Sequence, residues 1–203
     1  GKYPEYLKRF FEQQGFHMDI TPEDEKLIAS VTVDFTSFSY YQSRVARGVL
    51  PGEGTAGTDS RFRIIDNPFL RANDWNWAID PVGIRWVIER LYERYRLPVF
   101  VLENGLALHE KLNGESTVED DDRIDYVREH IRQCRLAIED GAELMGYLYW
   151  GPIDILSSHG EMGKRYGFIY VDRSETDTRD LKRYEKKSFH WFRNVIRSNG
   201  EIL

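Results

Sequence analysis

Cysteine is almost missing from this sequence: Cys134 is the only one in 203 residues. No intrachain disulfide can form, and an oxidising compartment is not indicated. Long hydrophobic runs are missing too, and none approaches the ~20 residues that a helix needs to cross a bilayer. The first residues, Gly1-Lys2-Tyr3-Pro4, carry no signal-peptide pattern, so the expected location is the cytoplasm. Positive charge is in deficit, since 28 Lys and Arg against 34 Asp and Glu leave a net charge of −6. With no basic run either, nucleic acid and anionic membrane are not expected as partners. Internal repeats, low-complexity tracts and linkers are absent, which predicts one domain over residues 1–203.

Aromatic residues, by contrast, are plentiful: five Trp, twelve Tyr and eleven Phe. They suit a large core and equally a sugar-binding cleft, where sugar C–H faces stack on rings. The stretch around which the chain is organised is Leu97-Pro98-Val99-Phe100-Val101-Leu102-Glu103-Asn104-Gly105. Its apolar, β-branched run predicts a strand buried on both faces, as in a parallel sheet, with Pro98 tolerated at the strand start. Glu103 then falls at the strand's carboxyl end, where α/β architectures do their chemistry. The alternative is a solvated Glu in a strand-to-helix loop. Gly105 would let the chain turn away with either backbone sign.

Periodicity supplies the flanking elements. Tyr3 to Gln14 predicts a helix with Tyr6, Leu7, Phe10 and Phe11 on one face, ended by Gly15. Thr21-Pro22-Glu23-Asp24 is a helix start. Val31 to Phe38 predicts a strand that delivers Tyr40 and Tyr41 to its carboxyl end. Gln42 to Trp77 is long and irregular, with turn signals at Pro51-Gly52-Glu53-Gly54 and Asn67-Pro68; a loop of that length is usually functional or mobile. Asp80-Pro81 caps a helix whose apolar face is Ile84, Val87, Ile88, Leu91 and Tyr95. Glu119 to Asp122 open another, with Ile124, Val127, Ile131, Cys134 and Ile138 on its face and Gly141 at its end. Cys134 is thus a core residue, and His130 a packing or hydrogen-bonding residue. Leu144 to Trp150 predicts a strand. Tyr184 to Asn199 predicts a last helix, burying Phe189, Phe192, Val195 and Ile196.

The strand ending in Glu103-Asn104-Gly105 resembles the nucleophile signature of glycoside hydrolase family 1. Three more stretches resemble that family in the same order: Asp34-Phe35-Thr36-Ser37-Phe38-Ser39-Tyr40-Tyr41, Gly146-Tyr147-Leu148-Tyr149-Trp150 and Lys164-Arg165-Tyr166-Gly167-Phe168. Nearly the whole chain is covered. The resemblance implies an α/β fold, the (β/α)8 TIM barrel. A complete barrel takes ~250 residues and only three of its strands are legible here, so the expectation is the carboxyl-terminal part, strands six to eight with their helices. Such a portion would leave edge strands open, and association into oligomers is a corresponding expectation.

The same resemblance implies a retaining glycosidase, which works with two carboxyl groups. Glu103 would be the nucleophile. Tyr41 would donate a hydrogen bond that orients the carboxylate and favours the anion; the alternative is an aromatic strand end packed in the barrel mouth. The family's acid/base Glu follows an Asn at the end of strand four, and no Asn-Glu dipeptide occurs, so the chain would carry half of the pair. Ser39 stands where the family usually has Asn. Trp150 matches a sugar-binding Trp, but Ser157 and Ser158 replace the acid and second Trp of members that act on plain sugars. Ser157, Lys164 and Tyr166 resemble the grip on a 6-phosphate, two hydroxyl donors and one ammonium for a dianion. The alternative for Lys164-Arg165 is a solvated surface pair. The substrate implied is a small molecule, a 6-phospho-β-glucoside, hydrolysed to glucose 6-phosphate and aglycone, with Ser158 favouring gluco over galacto. A 6-phospho-β-galactosidase, or a non-catalytic phospho-sugar binder, are the other readings. Neither a metal nor a cofactor is implied.

Overall fold

The computed structural model describes residues 1–50, 52–53 and 62–203. The chain opens with two short helices, α1 (Glu5–Gln13) and α2 (Pro22–Ser30). Gly15 adopts the left-handed backbone that stops the first. Thr21 forms a reciprocal capping box with Asp24 at the start of the second. Neither helix contains a buried residue.

Three parallel strands follow in one sheet, in the order β1 (Thr36–Tyr40), β4 (Val99–Asn104), β5 (Leu144–Tyr149). These are the three strands that the sequence predicts. Between β1 and β4 come the hairpin strands β2 (Val45–Gly48) and β3 (Phe62–Ile65), then helix α3 (Pro81–Tyr95); α4 (Asp121–Glu139) joins β4 to β5. Strand–helix–strand–helix–strand with parallel strands is the repeating unit of α/β folds. Asp80 caps α3 by accepting from the Gly83 amide at 3.2 Å. Helices α3 and α4 lie against each other and against the sheet. Their contact surface is the main core, where Ile84, Ile88, Val99, Val101 and Ala137 are fully buried beside Cys134 and Tyr40. Burying an aliphatic side chain of this size contributes ~1.5–3 kcal/mol. Cys134 is core, as expected, and burial pushes its thiol up to about 12. His130 is fully buried and packs as expected: its ring lies against Tyr126 with centroids 3.9 Å apart, and burial lowers its imidazole to about 4.

Several expectations change. β4 is buried on one face only, because α3 and α4 cover a single side of the sheet while Leu102 stays 40% exposed. β1 starts at Thr36 rather than Val31; Val31, Val33 and Phe35 are exposed and have no strand to pair with among the described residues. The stretch 42–77 is not irregular throughout, since it holds the β2–β3 hairpin. Of its turn signals, Gly52 is left-handed, whereas Pro51 and Gly54 lie outside the described residues. Tyr95, Ile138 and Ile196, assigned to buried faces, are exposed; each sits in the final turn of its helix, beyond its last buried residue. The segment after β5 forms a second hairpin, β6 (Ile169–Val171) with β7 (Arg183–Glu185), so the last helix, α5 (Lys187–Arg197), begins three residues later than Tyr184.

A buried set of charges fastens the segment after β5 to α4 and α5. Arg123 Nε pairs with Asp120 at 2.8 Å and its guanidinium also meets Glu110. Lys186 Nζ meets Glu110 at 2.5 Å and Asp154 at 2.9 Å, and Arg165 meets Asp154 at 2.7 Å. All six side chains are 4% exposed or less. Arg165 is therefore no surface residue, and its guanidinium also stacks on Tyr170 at 4.0 Å. Three cations against three anions leave no net charge, the condition under which buried ions are tolerated.

Candidate active site

The carboxyl end of β4 explains the Glu-Asn-Gly sequence residue by residue. The register slips by one residue between Val101 and Glu103 against β1, and again between Val101 and Asn104 against β5. Such a bulge re-aims side chains, so that Asn104 rather than Glu103 takes the buried side and the half-buried Glu103 stays accessible. The Asn104 amide donates to the Tyr40 carbonyl at 2.7 Å and to Tyr126 Oη at 3.0 Å, and its oxygen accepts from Tyr147 Oη at 2.6 Å. One fully buried amide thus ties the ends of β1, β4 and β5 to α4. Gly105 is needed for space. A Cβ there would stand 2.4 Å from the Trp150 carbonyl oxygen, and its backbone is not left-handed, so close approach replaces the expected freedom of turn.

Glu103 and Tyr41 meet. The phenol donates to Glu103 Oε2 at 2.8 Å. Register brings them together, because Ser39 pairs with Glu103 and Tyr40 with Asn104 across β1 and β4. Burial, then the neighbouring Glu103 carboxylate, pushes the Tyr41 phenol far above its ordinary range, so it remains a neutral donor. From Tyr41 the contacts continue outward. Its ring is edge-on to Trp77 and to Tyr166, with centroids 5.8 and 6.2 Å away. Burial pushes the Tyr166 phenol up to about 12, which also keeps it a neutral donor.

Lys164 sits at the outer side of this cluster. Only 3% exposed, its Nζ lies 4.1 Å from the centre of the Trp77 ring and 5.1 Å from that of Trp75. Burial lowers its pKa, against the opposing pull of the Glu161 carboxylate, and it forms no ion pair among the described residues. The solvated-pair alternative for Lys164-Arg165 is thereby removed. Ser157 is half-buried, its Oγ accepting from the backbone of Glu161 at 3.1 Å and of His159 at 3.3 Å. Ser158 is exposed, and among the described residues its hydroxyl reaches His159 Nδ1 at 3.3 Å and no other side chain. Trp150, 41% exposed at the end of β5, joins the site through its backbone, which donates to the Asn104 carbonyl at 2.8 Å.

Glu103, Tyr41, Tyr166 and Lys164 thus form one continuous cluster, Ser157 joins it through Glu161, and Ser158 lies apart. Sequence reading missed Trp75, Trp77, Glu161, His109 and Asn104's inward role. A Trp pair at i, i+2 at the end of a long loop, of the kind that is usually functional, was the available signal. Among the described residues no group of His, Cys, Asp and Glu is arranged to hold a metal ion.

Comparison with known proteins gives a consistent result. The family model described as Glycosyl hydrolase family 1 matches residues 1–201. The chain is 44% identical over 204 residues to aryl-phospho-beta-D-glucosidase BglH of Bacillus subtilis (strain 168), covering all of this chain and 43% of that protein. It is 45% identical over 208 residues to a 6-phospho-beta-glucosidase of Clostridium longisporum, all of this chain and 44% of the relative. Among solved structures, a family 1 β-glucosidase from Thermotoga maritima superposes with a TM-score of 0.82 at 29% identity, over 98% of this chain and 42% of that one. The chain therefore spans somewhat less than half the length of the relatives it matches.

Proposed function

The chain belongs to glycosyl hydrolase family 1, and from that premise we propose that it supplies the nucleophile and the phosphate grip of a retaining 6-phospho-β-glucosidase. Glu103 attacks the anomeric carbon as a carboxylate while the glycosidic bond breaks and the aglycone oxygen takes a proton from an acid/base carboxyl. The glycosyl-enzyme so formed is hydrolysed by water, which returns a proton to the acid/base. Tyr41 holds that carboxylate in place, its hydrogen bond at 2.8 Å selecting one orientation of the attacking oxygens. Lys164, Tyr166 and Ser157 bind the 6-phosphate, one cation and two hydroxyls for a dianion, while Trp150 and Ser158 border the sugar. In this reading β1, β4 and β5 take positions six, seven and eight of a TIM barrel, and the acid/base carboxyl lies outside this chain.

The observation that carries the proposal is the state of Lys164. It is buried, joined through the Trp77 ring to Tyr41, the nucleophile's partner, and unpaired with any carboxylate among the described residues. A structural lysine at that depth would be expected to hold an anion. Steady-state kinetics of the full-length protein test the reading, using p-nitrophenyl β-glucoside and its 6-phosphate. The phosphorylated substrate should have the higher kcat/KM by at least about a hundredfold, and equal rates on the two would refute the phosphate assignment. The 203-residue chain on its own should show no turnover, since general acid help is typically worth ~10²–10⁴-fold.

A further inference from the structure

Trp75 is the residue at which three loops meet. It lies in the loop before α3, and its indole N–H donates to Glu161 Oε2, in the loop after β5, at 2.8 Å. Its ring stacks on His109, in the loop after β4, with centroids 4.4 Å apart. Lys164 Nζ lies over the same indole. The turn that presents Trp75 is held locally, Asn73 Oδ1 accepting from the backbone of both Trp75 and Trp77 at 3.0 Å. Glu161 is the other end of this latch. Its amide donates to Ser157 Oγ at 3.1 Å, and its carboxylate acts on the Lys164 ammonium from beyond ion-pair distance.

A carboxylate beside a phosphate site opposes the ligand unless it has another task. We propose that Trp75 and Glu161 are positioning residues for phosphate recognition. Their hydrogen bond clamps the loop after β5 onto the loop before α3, which sets Lys164 against the Trp77 face and turns it toward the same point as Ser157. Neither residue touches the phosphate. The inference rests on the phosphate reading above, and it adds two residues whose loss should act through Lys164 rather than on the chemistry.

Kinetics of the full-length enzyme on phosphorylated and plain p-nitrophenyl β-glucoside decide it, read as the ratio of the two kcat/KM values. Trp75→Phe keeps the ring and removes the N–H, and Glu161→Ala removes the acceptor. Each should lower the ratio about tenfold, mainly through KM for the phosphorylated substrate, as for loss of a hydrogen bond to a charged group. Combined, they should lower it by less than about a further twofold, since both break one bond. Glu161→Gln keeps an acceptor without the charge, and should hold the ratio at or above the parent value. Equal losses on both substrates, or a Gln variant as impaired as the Ala variant, would overturn the positioning role. Lys164→Ala separates the two levels. If it abolishes the preference while Trp75→Phe and Glu161→Ala leave it intact, only the positioning role fails; if the parent shows no preference, the phosphate reading fails and this inference with it.

Discussion

Lys164 and Lys186 are both buried ammonium groups, 3% and 0% exposed, and burial pushes both below the ordinary lysine range. Their surroundings could hardly differ more. Lys186 meets two carboxylates at 2.5 and 2.9 Å inside a neutral set of six charges. Lys164 meets two indole faces and no carboxylate at pairing distance among the described residues. A ring face returns ~0.5–2 kcal/mol to a cation, far less than a paired anion in the same dielectric. The anions divide in the same way. Asp120 and Asp154 are wrapped by cations and backbone donors, whereas Glu103 has a neutral phenol. Where the fold needs a charge to be silent it pairs it. On the proposed reading, the charges that are to meet a ligand are oriented by neutral groups and left unneutralised.

The largest effect should come from the unneutralised anion. In the full-length enzyme Glu103→Gln should lower kcat by more than about 10⁴-fold, the scale of losing a nucleophile, with binding of the phosphorylated substrate largely retained. The thermal midpoint should change little, because Gln still accepts from Tyr41. A variant with near-normal kcat would remove Glu103 from the mechanism, and one that unfolds would place it among the structural charges.

Next in size is Lys186→Met. The substitution keeps the volume and leaves Glu110 and Asp154 short of a cation, so the expected cost is ~3–5 kcal/mol of stability. Denaturant midpoints would register it. Activity of whatever fraction folds should fall equally on phosphorylated and plain substrates. A selective loss on the phosphorylated one would mean that the network reaches the ligand.

The same substitution at the other lysine sharpens the contrast. Lys164→Met should cost less than about 1 kcal/mol of stability, because an apolar chain between two indoles replaces a partly compensated charge. It should lower kcat/KM for the phosphorylated substrate by roughly ten- to a hundredfold, ~1.5–3 kcal/mol for a charge-assisted bond, with far less loss on the plain one. Two lysines that respond alike would erase the distinction.

How much of this was legible in the sequence follows the same division. The three sheet strands, both long helices and the helix start at Thr21 have local periodicity or local chemistry behind them, and they were readable. Glu103 and Tyr41 could be singled out by resemblance to a family motif, but their 2.8 Å contact depends on parallel register between strands 62 residues apart. Trp75 and Trp77 were hidden because their loop has no period and is placed by an Asn73 turn and by Glu161. Nothing local marks Arg165 or Lys186 as buried, since only the fold brings their anions to them. β1's early start was over-read because the alternation of Val31, Val33 and Phe35 is a strand pattern with no strand paired to it among the described residues.

The smallest expected effect is at Ser157. Its Oγ accepts from two backbone amides, of Glu161 and His159. Those bonds engage the oxygen's lone pairs and leave the hydroxyl proton free to be donated. A serine so arranged is an oriented donor, which fits the phosphate grip and not the buried network. Ser157→Ala should therefore lower kcat/KM for the phosphorylated substrate about two- to tenfold, the ~0.5–1.5 kcal/mol of a neutral donor. Stability should fall by a similar amount, since two turn amides lose their acceptor. Ser157→Asn discriminates between the two roles. Its side-chain oxygen restores an acceptor for the turn, but its longer amide displaces the donor from the position of the hydroxyl. Recovery of the thermal midpoint without recovery of kcat/KM would locate the loss at the phosphate. Recovery of both together would show that Ser157 shapes the turn and contributes nothing directly to the anion.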